Sequence, residues 1–205
     1  MAKLYDFPRS SASYRIRIAC NLKNVAYEKV LINFRENAQR SDAYLKVNPS
    51  GLLPSFEADD GTVLSQSMAI LRYLDATCPE PALFPKDMEA ECAVWEMALI
   101  IACDIHPLNN LRVLQYLENE LGADQDARNA WYAEWVRLGF AGLEERVSAR
   151  GGTYCFGDSV TAVDVCLVPQ MFNARRFDVP LSAFPKLVEV DERLRAIDAF
   201  AAAAP

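Results

Sequence analysis

Residues 7–17 read Phe-Pro-Arg-Ser-Ser-Ala-Ser-Tyr-Arg-Ile-Arg, and this stretch decides how the chain is organised. The short apolar run before it, at residues 4–7, predicts a strand that breaks at Pro8, and the small hydroxyl residues that follow predict the start of an amphipathic helix. A helix N-terminus leaves backbone N–H groups without partners and carries a positive partial charge. The stretch therefore predicts an anion site, for which phosphate, carboxylate and thiolate are all candidates.

The composition is that of a globular protein with a substantial core, because 52% of the 205 residues are apolar and 24% are charged. The net charge of −7 argues against nucleic acid or an anionic membrane as a partner, since both usually need a basic surface. No run approaches the roughly 18 apolar residues of a membrane span, and the N-terminus lacks the apolar segment of a signal peptide. We therefore expect a cytoplasmic protein.

The cysteines and the single histidine limit which kinds of disulfide, metal site and catalytic triad the chain can contain. No two cysteines form a Cys-x-x-Cys pair, which favours buried thiols in a reducing compartment, with disulfides as the lesser alternative. The single histidine argues against a histidine-based metal site and against a Ser-His-Asp triad, so we expect no metal. The six cysteines are Cys20, Cys78, Cys92, Cys103, Cys155 and Cys166.

The helix that begins in the opening stretch is predicted to bury one face. Tyr14, Ile18 and Leu22 recur every four positions, which is typical of an apolar stripe on a helix. Arg15 and Arg17 fall away from that stripe, so we expect both to be solvated. A second strand is predicted at residues 27–32.

A hairpin is predicted from strands at residues 53–58 and 62–64, joined by an Asp-Asp-Gly turn. Pro54 does not fit a regular strand, because proline lacks the N–H that the sheet needs. A cis Leu53-Pro54 bond would turn the backbone N–H and C=O of Leu53 toward a ligand, whereas a trans proline at a strand start is the alternative.

Ser67 precedes a clear helical pattern at residues 68–74. This helix completes a βαβ–ββα unit. The simplest interpretation of Ser67 is a helix cap. The sharper alternative is a second anion site, in which the N–H and hydroxyl of Ser67 hold a carboxylate.

Three prolines at positions 79, 81 and 85 mark a domain boundary. We therefore expect domain one at residues 1–78, a linker at 79–87 and an all-helical domain at 88–205, because the later sequence lacks strand alternation.

Pro107 predicts that the first helix of this second domain kinks or restarts, since proline cannot donate to the carbonyl four residues back. The kink gathers His106, Asn109, Asn110 and Arg112 within two turns, with Asn109 and Arg112 on one face. This polar cluster suggests a cleft wall, although a lone histidine on an apolar stripe is more often a hydrogen-bonded core residue.

A later helix is predicted to start with a capping box formed by Thr161 and Asp164, and to run through Pro169 to Arg175 and Arg176. Adjacent helical residues point about 100° apart, so at most one of these arginines faces any given pocket.

Together these motifs resemble the zeta class of soluble glutathione transferases, which comprises the maleylacetoacetate and maleylpyruvate isomerases. The similarity runs nearly from end to end, and its segments occur in the class order and at the class spacings. The matching segments are Arg9-Ser10-Ser11-Ala12-Ser13, Asn48-Pro49, Leu53-Pro54, Gln66-Ser67, His106-Pro107-Leu108-Asn109-Asn110, and Gly157-Asp158 to Phe177.

The resemblance implies an α/β thioredoxin-like N-terminal domain, an all-α C-terminal domain, a homodimer, and glutathione in the cleft between the domains. It also implies that the anion is the glutathione thiolate, which accepts a hydrogen bond from a serine at the position of Ser10 or Ser11. The other cofactor contacts that it implies are Leu53 and Pro54 for the cysteinyl part, Gln66 and Ser67 for the γ-glutamyl end, and His106, Asn109 and Asn110.

The family reaction isomerises a maleyl double bond from cis to trans, with glutathione supplying the nucleophile, in the catabolism of aromatic compounds. Arg9, Arg112 and Arg176 are the candidates for holding the substrate carboxylates, and Arg9 and Arg176 join the serines as catalytic candidates. Ala12 departs from the class cysteine, which argues against a protein disulfide or cysteine-based redox role.

The alternatives are a general glutathione transferase that conjugates or dehalogenates small electrophiles, and a non-catalytic domain of the same fold. The retained serines and Gln66 argue against the second. Residues 104–112 look closer to the maleylpyruvate branch than to the maleylacetoacetate branch, and both substrates remain candidates.

Overall fold

The computed structural model describes residues 1–205, apart from the side chain of residue 35. The chain divides into two compact units, which are Met1–Leu83 together with Ala196–Pro205, and Phe84–Arg195. We call them the N-terminal unit and the helical unit. The sequence placed residues 196–205 in the helical domain, whereas the contacts group them with the N-terminal unit.

Four strands and nine α-helices follow one another along the described chain. The strands are β1 (Ala2–Asp6), β2 (Tyr27–Leu31), β3 (Ser55–Glu57) and β4 (Val63–Ser65). The helices are α1 (Ser11–Leu22), α2 (Asp42–Val47), α3 (Ser67–Thr77), α4 (Met88–Leu99), α5 (Leu111–Asn119), α6 (Gln125–Arg150), α7 (Ala162–Arg176), α8 (Pro185–Arg195) and α9 (Asp198–Ala201). Two short 3₁₀ turns (Phe34–Glu36, Ala38–Arg40) precede α2, and a π-helical turn (Ile100–Ile105) continues α4.

The N-terminal unit has a four-stranded mixed sheet in the order β2-β1-β3-β4. β1 runs parallel to β2 and antiparallel to β3, and β3 runs antiparallel to β4. Helices α1 and α3 pack against each other, and Leu4, Ile16, Phe56 and Ile70 are buried in the core of this unit. The predicted α/β thioredoxin-like domain is therefore confirmed.

Helix α1 is buried around its whole circumference, which contradicts the expectation of one apolar stripe. Residues 11–20 are all buried, including Arg15 at 1% exposure and Arg17 at 4%. The C-terminal segment covers one side of α1: the Tyr14 hydroxyl donates to the Phe200 carbonyl at 3.4 Å and Nε of Arg17 donates to the Ala203 carbonyl at 2.8 Å. The expected solvation of Arg15 and Arg17 was wrong, because residues distant in the sequence enclose both.

In the helical unit, α7 packs against α4 and α8 and is buried along most of its length. The predicted capping box is confirmed. Thr161 Oγ1 accepts from the backbone N–H of Val163 at 3.3 Å, and Asp164 Oδ2 accepts from that of Thr161 at 2.7 Å. Burial raises the pKa of the Asp164 carboxyl despite these hydrogen bonds. The box therefore lies deep in the unit and anchors the start of its central helix.

The predicted break near Pro107 is also confirmed. Helix α4 passes into the π-helical turn, in which the N–H of His106 donates to the Ile101 carbonyl at 2.9 Å, and a new helix begins at Leu111. Among the described residues, no helix is both long and apolar enough to cross a membrane.

Candidate functional site

The strand register brings three predicted site segments to one edge of the sheet in the N-terminal unit. Tyr5 pairs with Ser55, and Ser55 pairs in turn with Ser65. The chain leaving β1, the chain entering β3 and the chain leaving β4 therefore all lie at this edge. These connections carry Arg9, Ser10 and Ser11; Leu53 and Pro54; and Gln66 and Ser67, respectively.

Ser10 is the N-cap of α1, and Ser11 is its first helical residue. The Ser10 hydroxyl accepts a hydrogen bond from the Ser13 N–H at 3.2 Å, which satisfies one of the otherwise unpaired N–H groups of the helix start. A hydroxyl that accepts still has its own proton to donate, and the Ser10 proton has no acceptor among the described residues. Ser11 is buried at 5% exposure, whereas Arg9 is exposed.

Leu53 lies in a loop that two side chains hold in place. The Tyr44 hydroxyl donates to the Leu52 carbonyl at 2.6 Å, and the side-chain amide of Asn48 donates to the same oxygen at 2.8 Å. Burial raises the pKa of the Tyr44 hydroxyl, so it remains a donor. The Leu53-Pro54 bond is cis, and within the described residues the N–H and C=O of Leu53 have no hydrogen-bond partner. The predicted strand starts only at Ser55, after the proline.

Helix α3 begins at Ser67 without a side-chain cap. Its N-cap residue, Gln66, has φ of 72° and ψ of 113°, a backbone conformation that non-glycine residues rarely adopt. The Gln66 side chain is exposed and does not cap the helix. The start of α3, with its positive partial charge, therefore lies at this edge of the sheet without a side-chain cap.

Arg15 joins α1 to the start of α3, a contact that the sequence did not predict. Its Nη1 donates to the Ser67 hydroxyl at 3.0 Å in a buried environment. The only sequence signal for its burial is weak: Tyr14, Ile16 and Ile18 alternate with the two arginines, but Ser11, Ser13 and Asn21 lie one turn away from them.

In the helical unit, the structure separates Asn109 from Arg112. Asn110 is the N-cap of α5, with Oδ1 accepting from the Arg112 N–H at 3.2 Å, so Asn109 lies before the helix and Arg112 in its first turn. The expected shared helix face of Asn109 and Arg112 was therefore wrong. Asn109 is 8% exposed and Arg112 is exposed, which places them in different environments.

Tyr132 of α6 connects Asn109 to the end of α7. The Asn109 side-chain amide donates to the Tyr132 carbonyl at 3.1 Å, and the Tyr132 ring stacks on Phe177 with centroids 3.9 Å apart. The guanidinium of Arg176 lies over the other ring of this pair, 4.8 Å from the Phe177 centroid. Burial raises the pKa of Tyr132 to about 12, and the charge of Arg176 opposes that shift. The structure thus brings two predicted site residues, Asn109 and Arg176, around one buried tyrosine.

The two adjacent arginines at the end of α7 have different partners. Nη2 of Arg175 lies 2.7 Å from Oδ2 of Asp191, a fully buried carboxylate on α8 that Arg195 also contacts at 3.0 Å. Arg176 is exposed. Arg175 therefore links two helices within the unit, whereas the Arg176 guanidinium lies over the Phe177 ring. His106, the remaining predicted cofactor contact, is partly exposed at the end of the π-helical turn.

Across the described side chains there is no cluster of three or more histidine, cysteine, aspartate or glutamate residues placed to hold a metal ion. The six cysteines are free thiols, and Cys20, Cys155 and Cys166 are buried. Burial raises the pKa of the Cys20 thiol to about 12, and the pKa of Cys155 is raised as well. These two thiols are therefore poor nucleophiles.

Comparison with known proteins identifies relatives of the chain over nearly its full length. Residues 1–76 match the family described as "Glutathione S-transferase, N-terminal domain". A probable maleylacetoacetate isomerase from Vibrio cholerae is 47% identical over 204 residues, covering 98% of this chain and 94% of that protein.

Two solved structures extend the similarity to the fold. A holo structure of a maleylpyruvate isomerase, described as a bacterial glutathione S-transferase of the zeta class, superposes with a TM-score of 0.96 at 42% identity, covering 99% of this chain and 96% of that one. A maleylacetoacetate isomerase from Methylobacterium extorquens AM1, with bound malonate and glutathione, gives a TM-score of 0.95 at 34% identity, covering 99% of both chains. The whole chain is therefore similar to these proteins in sequence and in fold.

Proposed function

Because this chain belongs to the zeta class of glutathione transferases, we propose that it is a glutathione-dependent isomerase that converts a maleyl diacid to its fumaryl isomer. The substrate is maleylpyruvate or maleylacetoacetate, and the reaction serves the catabolism of aromatic compounds. The observation that carries the proposal is the common sheet edge at which the starts of α1 and α3 and the free backbone groups of Leu53 lie.

The residues at this edge fit glutathione. The N–H and C=O of Leu53, without partners among the described residues, suit the peptide backbone of the cysteinyl part. The uncapped start of α3, with Gln66 and Ser67, suits the γ-glutamyl carboxylate. Pro54 fixes the turn that presents Leu53. His106, Asn109 and Asn110 are proposed as further contacts from the helical unit.

Glutathione, when bound, supplies the thiolate that adds reversibly to the substrate double bond and so allows the bond to rotate. The protein has to keep that thiol ionised at neutral pH. The unused proton of the Ser10 hydroxyl and the N-terminus of α1 both favour a negative charge at this position. Ser10 is therefore proposed as the hydrogen-bond donor to the sulfur, and Ser11 supports the same helix start through its backbone N–H.

The substrate carries two carboxylates, and Arg9, Arg112 and Arg176 are proposed to hold them and to stabilise the charge that develops during the reaction. All three are exposed. Arg9 and Arg112 form no ion pair with any other described side chain, so they do not fit the alternative role of surface ion-pair partners. Arg9 also immediately precedes Ser10, which places its charge beside the proposed sulfur position.

We further propose that the chain works as a homodimer in the cytoplasm. Large apolar side chains are exposed on the helical unit, among them Met88 at 78% and Leu121 at 65%, and association of two chains would cover such surface. The free thiols suit a reducing compartment, which supports the cytoplasmic location.

The oligomeric state is tested by light scattering on the peak that elutes from a size-exclusion column. A mass corresponding to one chain of 22.9 kDa would contradict the dimer.

The direct test of the activity is an assay of the purified protein on maleylpyruvate and maleylacetoacetate, each with and without glutathione. We expect turnover of at least one substrate, only with glutathione, and a fumaryl product identified by NMR. The ratio of the two kcat/KM values identifies the preferred substrate. No isomerisation of either substrate, despite glutathione binding, would favour a general transferase instead.

A further inference from the structure

Arg15 is a buried cation without an anionic partner on any described residue. Its side chain is 1% exposed and is one of the largest fully buried side chains of the described chain. Nη1 donates to the Ser67 hydroxyl at 3.0 Å, but Nε and Nη2 have no hydrogen-bond partner among the described residues. No carboxylate on a described residue lies within 4.0 Å of the Arg15 guanidinium.

Arg17, two residues further along α1, shows what a compensated buried arginine looks like in this protein. It is 4% exposed, and its guanidinium pairs with Asp6 at 2.6 Å and donates to the carbonyls of Pro8 and Ala203. A buried charge is costly unless it is paired and hydrogen-bonded. The described residues therefore do not offset the cost of burying the Arg15 charge, which points to a ligand.

The hydrogen bond between Arg15 and Ser67 also orients the serine. A guanidinium only donates, so the Ser67 oxygen must be the acceptor in this contact. The single proton of the Ser67 hydroxyl is then left for another acceptor, and the described residues offer none. The hydroxyl proton and the uncapped N-terminus of α3 thus both favour an anion at the same place.

We propose that Arg15 is a positioning residue for the γ-glutamyl carboxylate of glutathione. Arg15 acts in two ways. It orients the Ser67 hydroxyl so that its proton is donated to the ligand, and its positive charge attracts the ligand carboxylate on the other side of that hydroxyl. The inference rests on the proposed glutathione function and extends it to a residue behind the binding surface. Arg15 thereby makes the site select for ligands with a carboxylate at this end.

The test compares two ligands by isothermal titration calorimetry. One is glutathione, and the other is the analogue 4-aminobutyryl-cysteinylglycine, in which hydrogen replaces the γ-glutamyl α-carboxylate. The measured quantity is the preference, defined as the Kd of the analogue divided by the Kd of glutathione. We expect the wild-type protein to prefer glutathione by about 10- to 100-fold, the range for a charge-assisted hydrogen-bonded contact.

Arg15→Met removes the charge and the donors while keeping a long side chain. We expect its preference to fall by about three- to tenfold, because glutathione binding weakens and analogue binding does not. Some preference should remain, since the N-terminus of α3 still favours a carboxylate. Arg15→Gln keeps an amide donor for Ser67 and is the second variant should the Met variant fail to fold. Its preference is expected to fall as well, because the charge is lost. Arg17→Lys is the matched control in the same helix and should keep the wild-type preference.

If Arg15 has a purely structural role, its substitution should weaken the binding of both ligands equally and leave the preference unchanged. That result in either variant would overturn the proposal. A wild-type preference near onefold would overturn it too. If the wild-type protein binds neither ligand, the proposed function fails together with this inference. If the variants bind glutathione with an unchanged preference, the proposed role of Arg15 is refuted and the proposed function is not affected.

Discussion

Arg17 and Asp6 form an ion pair in which both side chains are buried, with Nη1 of Arg17 lying 2.6 Å from Oδ1 of Asp6. The same guanidinium donates to the Pro8 carbonyl, at the turn that leads to the proposed sulfur site, and to the Ala203 carbonyl near the C-terminus. One side chain therefore ties together the end of β1, the start of α1 and the C-terminal segment.

Asp6→Asn should destabilise the protein by about 3–5 kcal/mol, because it leaves the buried Arg17 charge without its partner. Urea unfolding followed by circular dichroism measures the change. The control is Glu134→Gln, which removes a solvent-exposed ion pair with Arg137 and should leave the free energy of unfolding almost unchanged. Equal stability of Asp6→Asn and the wild-type protein would show that the pair contributes nothing net.

Ser10→Ala should raise the pKa of the thiol of bound glutathione and lower kcat/KM at neutral pH by about 10- to 100-fold, because the sulfur loses its donor. The variant also loses the α1 cap, at a cost of about 1 kcal/mol. A pH titration of the thiolate absorbance measures the pKa. Ser10→Thr retains a hydroxyl and should restore most of the activity. An unchanged thiol pKa in Ser10→Ala with a raised one in Ser11→Ala would transfer the role to Ser11.

Arg176→Ala should lower kcat/KM for the maleyl substrate by at least about tenfold while leaving the Kd of glutathione unchanged, because its charge is proposed to hold a substrate carboxylate. Arg175→Ala is the matched neighbour. It removes a partner of the buried Asp191 carboxylate and should lower the melting temperature without lowering kcat/KM. Full activity of Arg176→Ala would remove this residue from the substrate site.

Gly139 and Gly142 lie one turn apart on α6, yet substitution by alanine should have opposite effects. A Cβ atom at Gly139 would lie 2.3 Å from Cγ1 of the buried Ile105, so Gly139→Ala forces the π-helical turn to move and should cost about 1–3 kcal/mol. At Gly142 the nearest atom of the described structure is Nη1 of Arg146 at 3.7 Å, so alanine fits there and should stabilise the helix by up to about 1 kcal/mol. Thermal unfolding of both variants compares them, and equal melting temperatures would contradict the close approach.

The stability of the protein should fall in alkaline solution, partly because of Cys20. Burial raises the pKa of this thiol from 9.0 to about 12, so the folded protein keeps a proton that the unfolded chain releases. The stabilisation is fully present below pH 9.0 and is lost as the pH rises toward about 12, by at most about 1.4 kcal/mol per pH unit for this group.

Urea unfolding across that pH range gives the slope, and Cys20→Ala should make it shallower. Cys92→Ala, at an exposed position, should leave the slope as it is in the wild-type protein. Tyr27 and Tyr132 add to the slope in the same direction, since burial raises the pKa of both hydroxyls to about 12. An equal slope in Cys20→Ala and the wild-type protein would show that Cys20 ionises normally in the fold.

The sequence by itself determined several local features of both units. The helix start at the small hydroxyl residues after Pro8 and the capping box of Thr161 with Asp164 depend on contacts over two or three residues, so local chemistry suffices to predict them. The same holds for the break near Pro107. The motifs also identified Ser10, Leu53 and Ser67 as candidate glutathione contacts. They did not predict that the strand register brings these residues to one edge of the sheet.

Only the tertiary structure decided the burial of the two arginines of α1 and the separation of Asn109 from Arg112. Arg15 meets Ser67 across 52 residues of sequence, and Arg17 meets Ala203 across 186. Helical periodicity reports which face of a helix is apolar, but it contains no information about what covers the opposite face. Here α3 and the C-terminal segment both pack against α1, and a charge that the sequence places in solvent becomes the buried cation behind the proposed carboxylate site.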